Sequence, residues 1–123
     1  MESFEKLLQI AKRKARFDQK SNWSNGSATY LSEIKKEVDE VIEEIPLKRR
    51  CYLEEELGDV LWDYLNILLA LEQETDIRVS SVLDRACKKY DERISGIESG
   101  QSWDEVKQRQ KIILAQEQEK EIK

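Results

Sequence analysis

Pro46 is the only proline in the chain, and it separates two long segments whose apolar residues recur every three or four positions. A proline has no amide hydrogen and pushes the residue before it out of the helical region, so the first segment must end there. With only four glycines besides, the 123 residues have few places at which to turn. They must form a small number of long elements, and the 3.6-residue period makes these helices. The expected fold is all-α: a bundle of four to five helices in a single domain over 1–123, its core completed by oligomerisation.

The helices can be placed from the pattern. An N-terminal helix within 1–20 carries Phe4, Leu7, Leu8, Ala11 and Ala15 on one side. The Ser/Asn/Gly-rich stretch "SNWSNGSA" reads as a loop. The core helices are expected at 29–45, 50–74 and 81–97, the middle one being the most hydrophobic and hence the centre of the fold. Ser81 with Asp84, and Ser102 with Glu105, have the spacing of helix-opening capping pairs. The residues 101–123 read as a peripheral, partly frayed helix, docked through Trp103, Ile112, Ile113 and Leu114.

Composition removes several function classes. Twenty-one basic against 26 acidic residues give a net charge of −5, which offers no basic face for nucleic acid. There is no histidine, so triads built on imidazole and ordinary zinc sites are out. Cys51 and Cys87 have no CxxC or Cys/His company and read as buried, reduced thiols. No apolar run approaches the roughly 20 residues of a membrane span, and the first residues lack a signal-peptide core. The expectation is a soluble, cytoplasmic protein with no membrane and no nucleic-acid partner.

The acids are distributed in a telling way. On a helical wheel at about 100° per residue, Glu33, Glu37, Glu40 and Glu44 fill a narrow arc beside the apolar face of the second helix. Glu56, Asp59, Asp63 and Asn66 do the same on the third. Like charges at i, i+4 oppose helix formation by a few tenths of a kcal/mol per pair. If the two helices pack antiparallel, these carboxylates meet across a groove, and such a cluster needs a cation. Mg²⁺ (or Mn²⁺) suits it, being a hard ion that takes carboxylate, water and phosphate oxygens. Gly58, costly inside a helix by about 1 kcal/mol, reads as a point of close helix approach. Trp62, opposite the acids, reads as a packing or dimer-contact residue.

The stretches "EVDEVIEEI" and "EEELGDVLWDYLNILLALEQE" resemble the signature of the MazG-like nucleoside triphosphate pyrophosphohydrolases, of the all-α NTP pyrophosphatase superfamily. The family's ExxE reads here Glu37, Val38, Asp39, Glu40, and its ExxD reads Glu56, Leu57, Gly58, Asp59. The resemblance covers about 29–93. It implies that Glu37, Glu40, Glu56 and Asp59 bind the divalent metal, and that Lys89 and Arg93 contact substrate phosphates. It implies hydrolysis of a nucleoside triphosphate between the α and β phosphates, with Glu37 or Glu40 accepting the proton of the attacking water. Asp63, Asn66, Trp23 and Trp103 are further site candidates, the two tryptophans for stacking a base. Members commonly assemble as homodimers or homotetramers, and the apolar run "VLWDYLNILLAL" agrees with a homo-oligomer. Two alternatives remain open: the same chemistry on a dedicated substrate (dUTP, dCTP or phosphoribosyl-ATP), and a non-catalytic helical module with an acidic groove.

Overall fold

The computed structural model describes residues 2–18 and 26–122; Trp23 lies outside them. Within the described residues the chain is all-α, with five α-helices and no strand. They are α1 (Glu2–Asp18), α2 (Ser27–Glu44), α3 (Arg50–Glu74), α4 (Val79–Glu98) and α5 (Trp103–Ile122). The chain forms two compact units, Met1–Val79 and Ser80–Lys123.

In the first unit α2 and α1 both pack on α3. α1 buries Ala11, with Phe4, Leu7, Leu8 and Ala15 half-buried around it, as the periodicity requires. Pro46 ends α2: the backbone passes through a single 3₁₀ turn (Ile45–Leu47), then left-handed Lys48 (φ 54°) and extended Arg49, before α3 begins. So short a connection makes α2 and α3 an antiparallel hairpin, and their contacts run in opposite directions. Ser27 meets Glu74 near the open end, and Glu37 meets Glu56 and Asp59 nearer the turn.

α2 starts two residues ahead of the expected position because its cap comes from across the hairpin. The Glu74 carboxylate accepts hydrogen bonds from the Ser27 amide (2.8 Å) and the Ser27 hydroxyl (2.6 Å). This negative charge also complements the positive end of the helix dipole. Gly26 turns into the helix at φ 67°, a conformation that favours glycine, and a Cβ on it would displace the Glu74 carboxylate, 2.5 Å away. α4 likewise starts at Val79, whose amide is taken by Glu72 Oε2 at 2.8 Å, rather than at the capping pair expected from Ser81 and Asp84.

Core burial concentrates in the second half of α3, where Leu65, Ile67, Leu68 and Leu69 are all buried. Leu61 and Tyr64, within the apolar run of α3, are exposed. Gly58 does not mark a close approach: nothing lies within 4 Å of where its Cβ would be. Nor are the cysteines buried. Cys51, in the first turn of α3, and Cys87, on α4, are free and exposed, because their helix faces are uncovered in the described chain.

In the second unit α4 and α5 form another hairpin. Gly96 lets the two approach, since a Cβ there would lie 2.6 Å from Val106 Cγ2. Gly100 (φ 95°) closes α4, and the Gln101 amide donates to the Gly96 carbonyl at 2.8 Å. Ser102 caps α5 as its spacing predicts, accepting from the Glu105 amide at 3.1 Å. The docking residue of α5 is Val106, fully buried, and not Ile112, Ile113 or Leu114, which face solvent. No helix among the described residues is long and apolar enough to cross a membrane.

Candidate metal centre

The antiparallel hairpin brings the two acid stripes together. Glu37 from α2 and Glu56 and Asp59 from α3 each offer a carboxylate oxygen, all three within 4.8 Å of one another. Glu40, expected as a fourth ligand, is exposed and falls outside the three grouped oxygens, though it lies close enough to raise the pKa of both Glu37 and Glu56. Asp63 stands one turn further along α3, buried and facing the charges of Glu33 and Asp59.

The proton affinities record this crowding. Burial, then the hydrogen bond and charge of Glu40, then the charges of Asp59 and Asp63 push Glu37 up from 4.5 to about 7. Glu56 is raised by its hydrogen bond to Glu40 and by burial, and Asp63 chiefly by burial. Buried oxygens of Glu37, Glu56 and Asp63 have no donor: Glu37 Oε2, Glu56 Oε2 and Asp63 Oδ2 are all unpartnered. Buried anionic oxygens left this way are costly, and buried charges are ordinarily paired or coordinated to a metal. An all-oxygen donor set with no histidine or thiolate suits a hard divalent ion such as Mg²⁺ or Mn²⁺.

Not every acid of the stripes takes part. Glu44 is drawn away by Arg49, which donates to it at 2.9 and 2.7 Å and holds its carboxyl below the usual range. Asn66, at the end of the α3 stripe, is buried, with Nδ2 donating to the Trp62 carbonyl at 2.9 Å. Trp62 itself is half-buried.

Lys89 and Arg93 belong to the second unit, where α5 organises them. Arg93 is buried, donates to Gln110 Oε1 at 2.8 Å and stacks its guanidinium over Trp103, 4.9 Å from the ring centroid, and over Tyr90. Lys89 lies over the Tyr90 ring, and its carbonyl accepts from Gln110 Nε2 at 2.9 Å. Trp103 thus carries the Arg93 guanidinium over its ring.

Sequence reasoning missed the Glu74 cap and the knot in which Asp18 accepts from both Lys14 and the Tyr30 hydroxyl. Both join residues far apart in the chain or on different helices, where no local spacing signals them. The glycine that opens α2 was the one available cue.

The geometry and the family comparison agree. The MazG nucleotide pyrophosphohydrolase domain matches residues 25–96, more than half of the chain, and the matched segment contains all of α2 and α3. The chain belongs to this family. No curated protein and no solved structure matches it. For a MazG domain, nucleotide pyrophosphohydrolase activity is the indicated function.

Proposed function

We propose that the chain is a Mg²⁺-dependent nucleotide pyrophosphohydrolase that cleaves nucleoside triphosphates between the α and β phosphates, releasing a nucleoside monophosphate and pyrophosphate. A role in clearing surplus or non-standard nucleotides fits that chemistry. The single observation that carries the reading is the groove. Carboxylates from two helices of a MazG domain converge, and their buried oxygens have no hydrogen-bond donor.

In this reading Glu37, Glu40, Glu56 and Asp59 hold the ion. When bound, the ion neutralises phosphate charge and acidifies water. The chain's own part is to fix the ligands from two rigid helices and to accept a proton. Glu37, one of the three grouped carboxylates, and Glu40, whose charge bears on it, are the two candidates to take it from the attacking water. Asp63 lies beside this group without belonging to the three-carboxylate set. Phosphate contacts by Lys89 and Arg93 are proposed on the family resemblance alone. A homodimer or homotetramer, in the cytoplasm, is proposed likewise. Val38, Ile42, Leu57, Leu61 and Tyr64, all exposed on the α2–α3 hairpin, support such an assembly.

A panel of ribo- and deoxyribonucleoside triphosphates with Mg²⁺ tests the reading. Pyrophosphate release is the expected result. Orthophosphate alone would mean β–γ cleavage and refute it. Mg²⁺ binding without any hydrolysis would favour the non-catalytic module.

A further inference from the structure

The second unit holds an open cleft of about 570 Å³ between α4 and α5. Both of its ends are pinned. Near the connection Gly96 admits Val106, and Arg93 donates to Gln110. At the far end the Arg85 guanidinium grips both carboxylate oxygens of Glu117. Between these ties, along 86–92 and 111–116, no residue is buried. Ala86 and Tyr90 on α4, and Ile113 and Leu114 on α5, line the cleft and stay exposed in it. Two amphipathic helices ordinarily close over such residues. Here the ties hold the walls and leave the floor uncovered.

The cleft is also basic. Six cations and two carboxylates line it, in a chain whose net charge is −5. Both carboxylates are already engaged, Glu117 by Arg85 and Glu92 by Gln110 Nε2 at 3.2 Å. Lys88, Lys107 and Lys111 enter no ion pair among the described residues. Lys107 and Lys111 stand one turn apart on α5, like charges that oppose the helix unless an anion lies against them. α5 itself lies beyond residues 25–96, which the MazG domain matches.

Shape selects the kind of anion. The cations are spread along both walls at helical spacing, instead of converging on one point as a phosphate group requires. From Lys107 to Glu117 the wall runs about 15 Å, room for roughly three turns of helix. A nucleic-acid strand needs a succession of stacking rings, and Tyr90 is the one aromatic side chain in the lining. A second copy of the same hairpin would set like charges against each other.

We propose that the α4–α5 cleft docks an acidic amphipathic helix of a partner protein. Its apolar stripe lies on Tyr90, Ile113 and Leu114, and its carboxylates meet Lys88, Lys107 and Lys111. This is recognition of a helix in a groove, with the cations on the walls setting the sign of the partner. It does not depend on the hydrolase reading.

The probe is a synthetic peptide of about 18 residues, long enough to hold a helix, with leucines along one face and glutamates on the other. Its binding to the full chain is followed by fluorescence anisotropy of a label on the peptide. Saturable binding that weakens as salt is added is the expected result. The same peptide with lysine in place of every glutamate should not bind. Lys107→Glu together with Lys111→Glu should weaken the complex by about tenfold or more, as opposed charges turned into like ones do. Lys107→Gln with Lys111→Gln should weaken it less, and Ile113→Gln should weaken it while leaving its salt dependence in place. Helical CD of each variant is checked against that of the parent. No binding, equal binding of the lysine peptide, or binding indifferent to all these substitutions would overturn the proposal. So would oligouridylate bound in the peptide's place, which assigns the cleft to nucleic acid. Self-association dispersed by the lysine substitutions, with no peptide bound, would assign it to a second copy and overturn it equally.

Discussion

The two helical hairpins treat their buried polar groups in opposite ways. In the second unit Arg93 is buried, yet it is hydrogen-bonded to Gln110 and stacked on Trp103, and Gln110 in turn donates to the Lys89 carbonyl. In the first unit the buried groups of the α2–α3 groove are carboxylates facing carboxylates, and all the unpartnered buried oxygens found among the described residues belong to that hairpin. A hairpin that satisfies itself is built for stability. One that leaves anionic oxygens bare gives up stability that a bound cation would restore.

The largest effect should come from the proposed proton acceptors and ligands of the groove. Glu40→Gln should lower turnover by about a hundredfold or more, the range lost with a general base or a metal ligand, and leave the helical CD signal unchanged. A variant as active as the parent would break the contrast between the units. Next is the cap that ties the open end of the groove. Gly26→Ala forces a Cβ onto Glu74 at φ 67°, and should cost about 1–2 kcal/mol, several degrees in Tm. An unchanged Tm would mean that the turn at Gly26 and the Glu74 cap do not hold the start of α2.

The third prediction concerns pH. Glu37 is raised in the fold from 4.5 to about 7, so the folded state holds its proton more tightly than the unfolded chain. That contribution is fully present below 4.5 and is lost as pH rises through about 7. Metal-free protein should therefore melt at lower temperature as pH rises across this window, and saturating Mg²⁺ should offset the loss. Glu37→Gln should make the profile shallower, leaving the share of Glu56 and Asp63. A metal-free Tm that stays level across the window would contradict the crowding of the carboxylates. The smallest effect belongs to the other hairpin. Ser102→Ala should cost about 1 kcal/mol, as N-cap losses do, and leave the Mg²⁺ response unaltered. A changed metal response would show that the two units are not independent in this respect.

Much of this was legible in the residues themselves. The single proline and the apolar period located α2 and α3 to within two residues, since both are local signals. The wheel placed Glu37, Glu56 and Asp59 on facing stripes, because a short connection leaves two amphipathic helices no packing except antiparallel. What was not legible came from contacts made at a distance. Glu74 and Glu72 moved the starts of α2 and α4, and Arg49 removed Glu44 from the stripe. The cavity between Ala15, Tyr30 and Asn66 had no signature at all. It exists only once α1 lies across the open end of the hairpin, and the sequence marks only Asn66, as a polar residue in an apolar run.

The central claim is that the groove binds a hard divalent ion through carboxylates of both helices. Mn²⁺ titration followed by electron paramagnetic resonance measures this without reference to turnover. The account predicts saturable binding that Mg²⁺ displaces and that both Glu37→Gln on α2 and Glu56→Gln on α3 abolish. Binding indifferent to either substitution, or none, would contradict it.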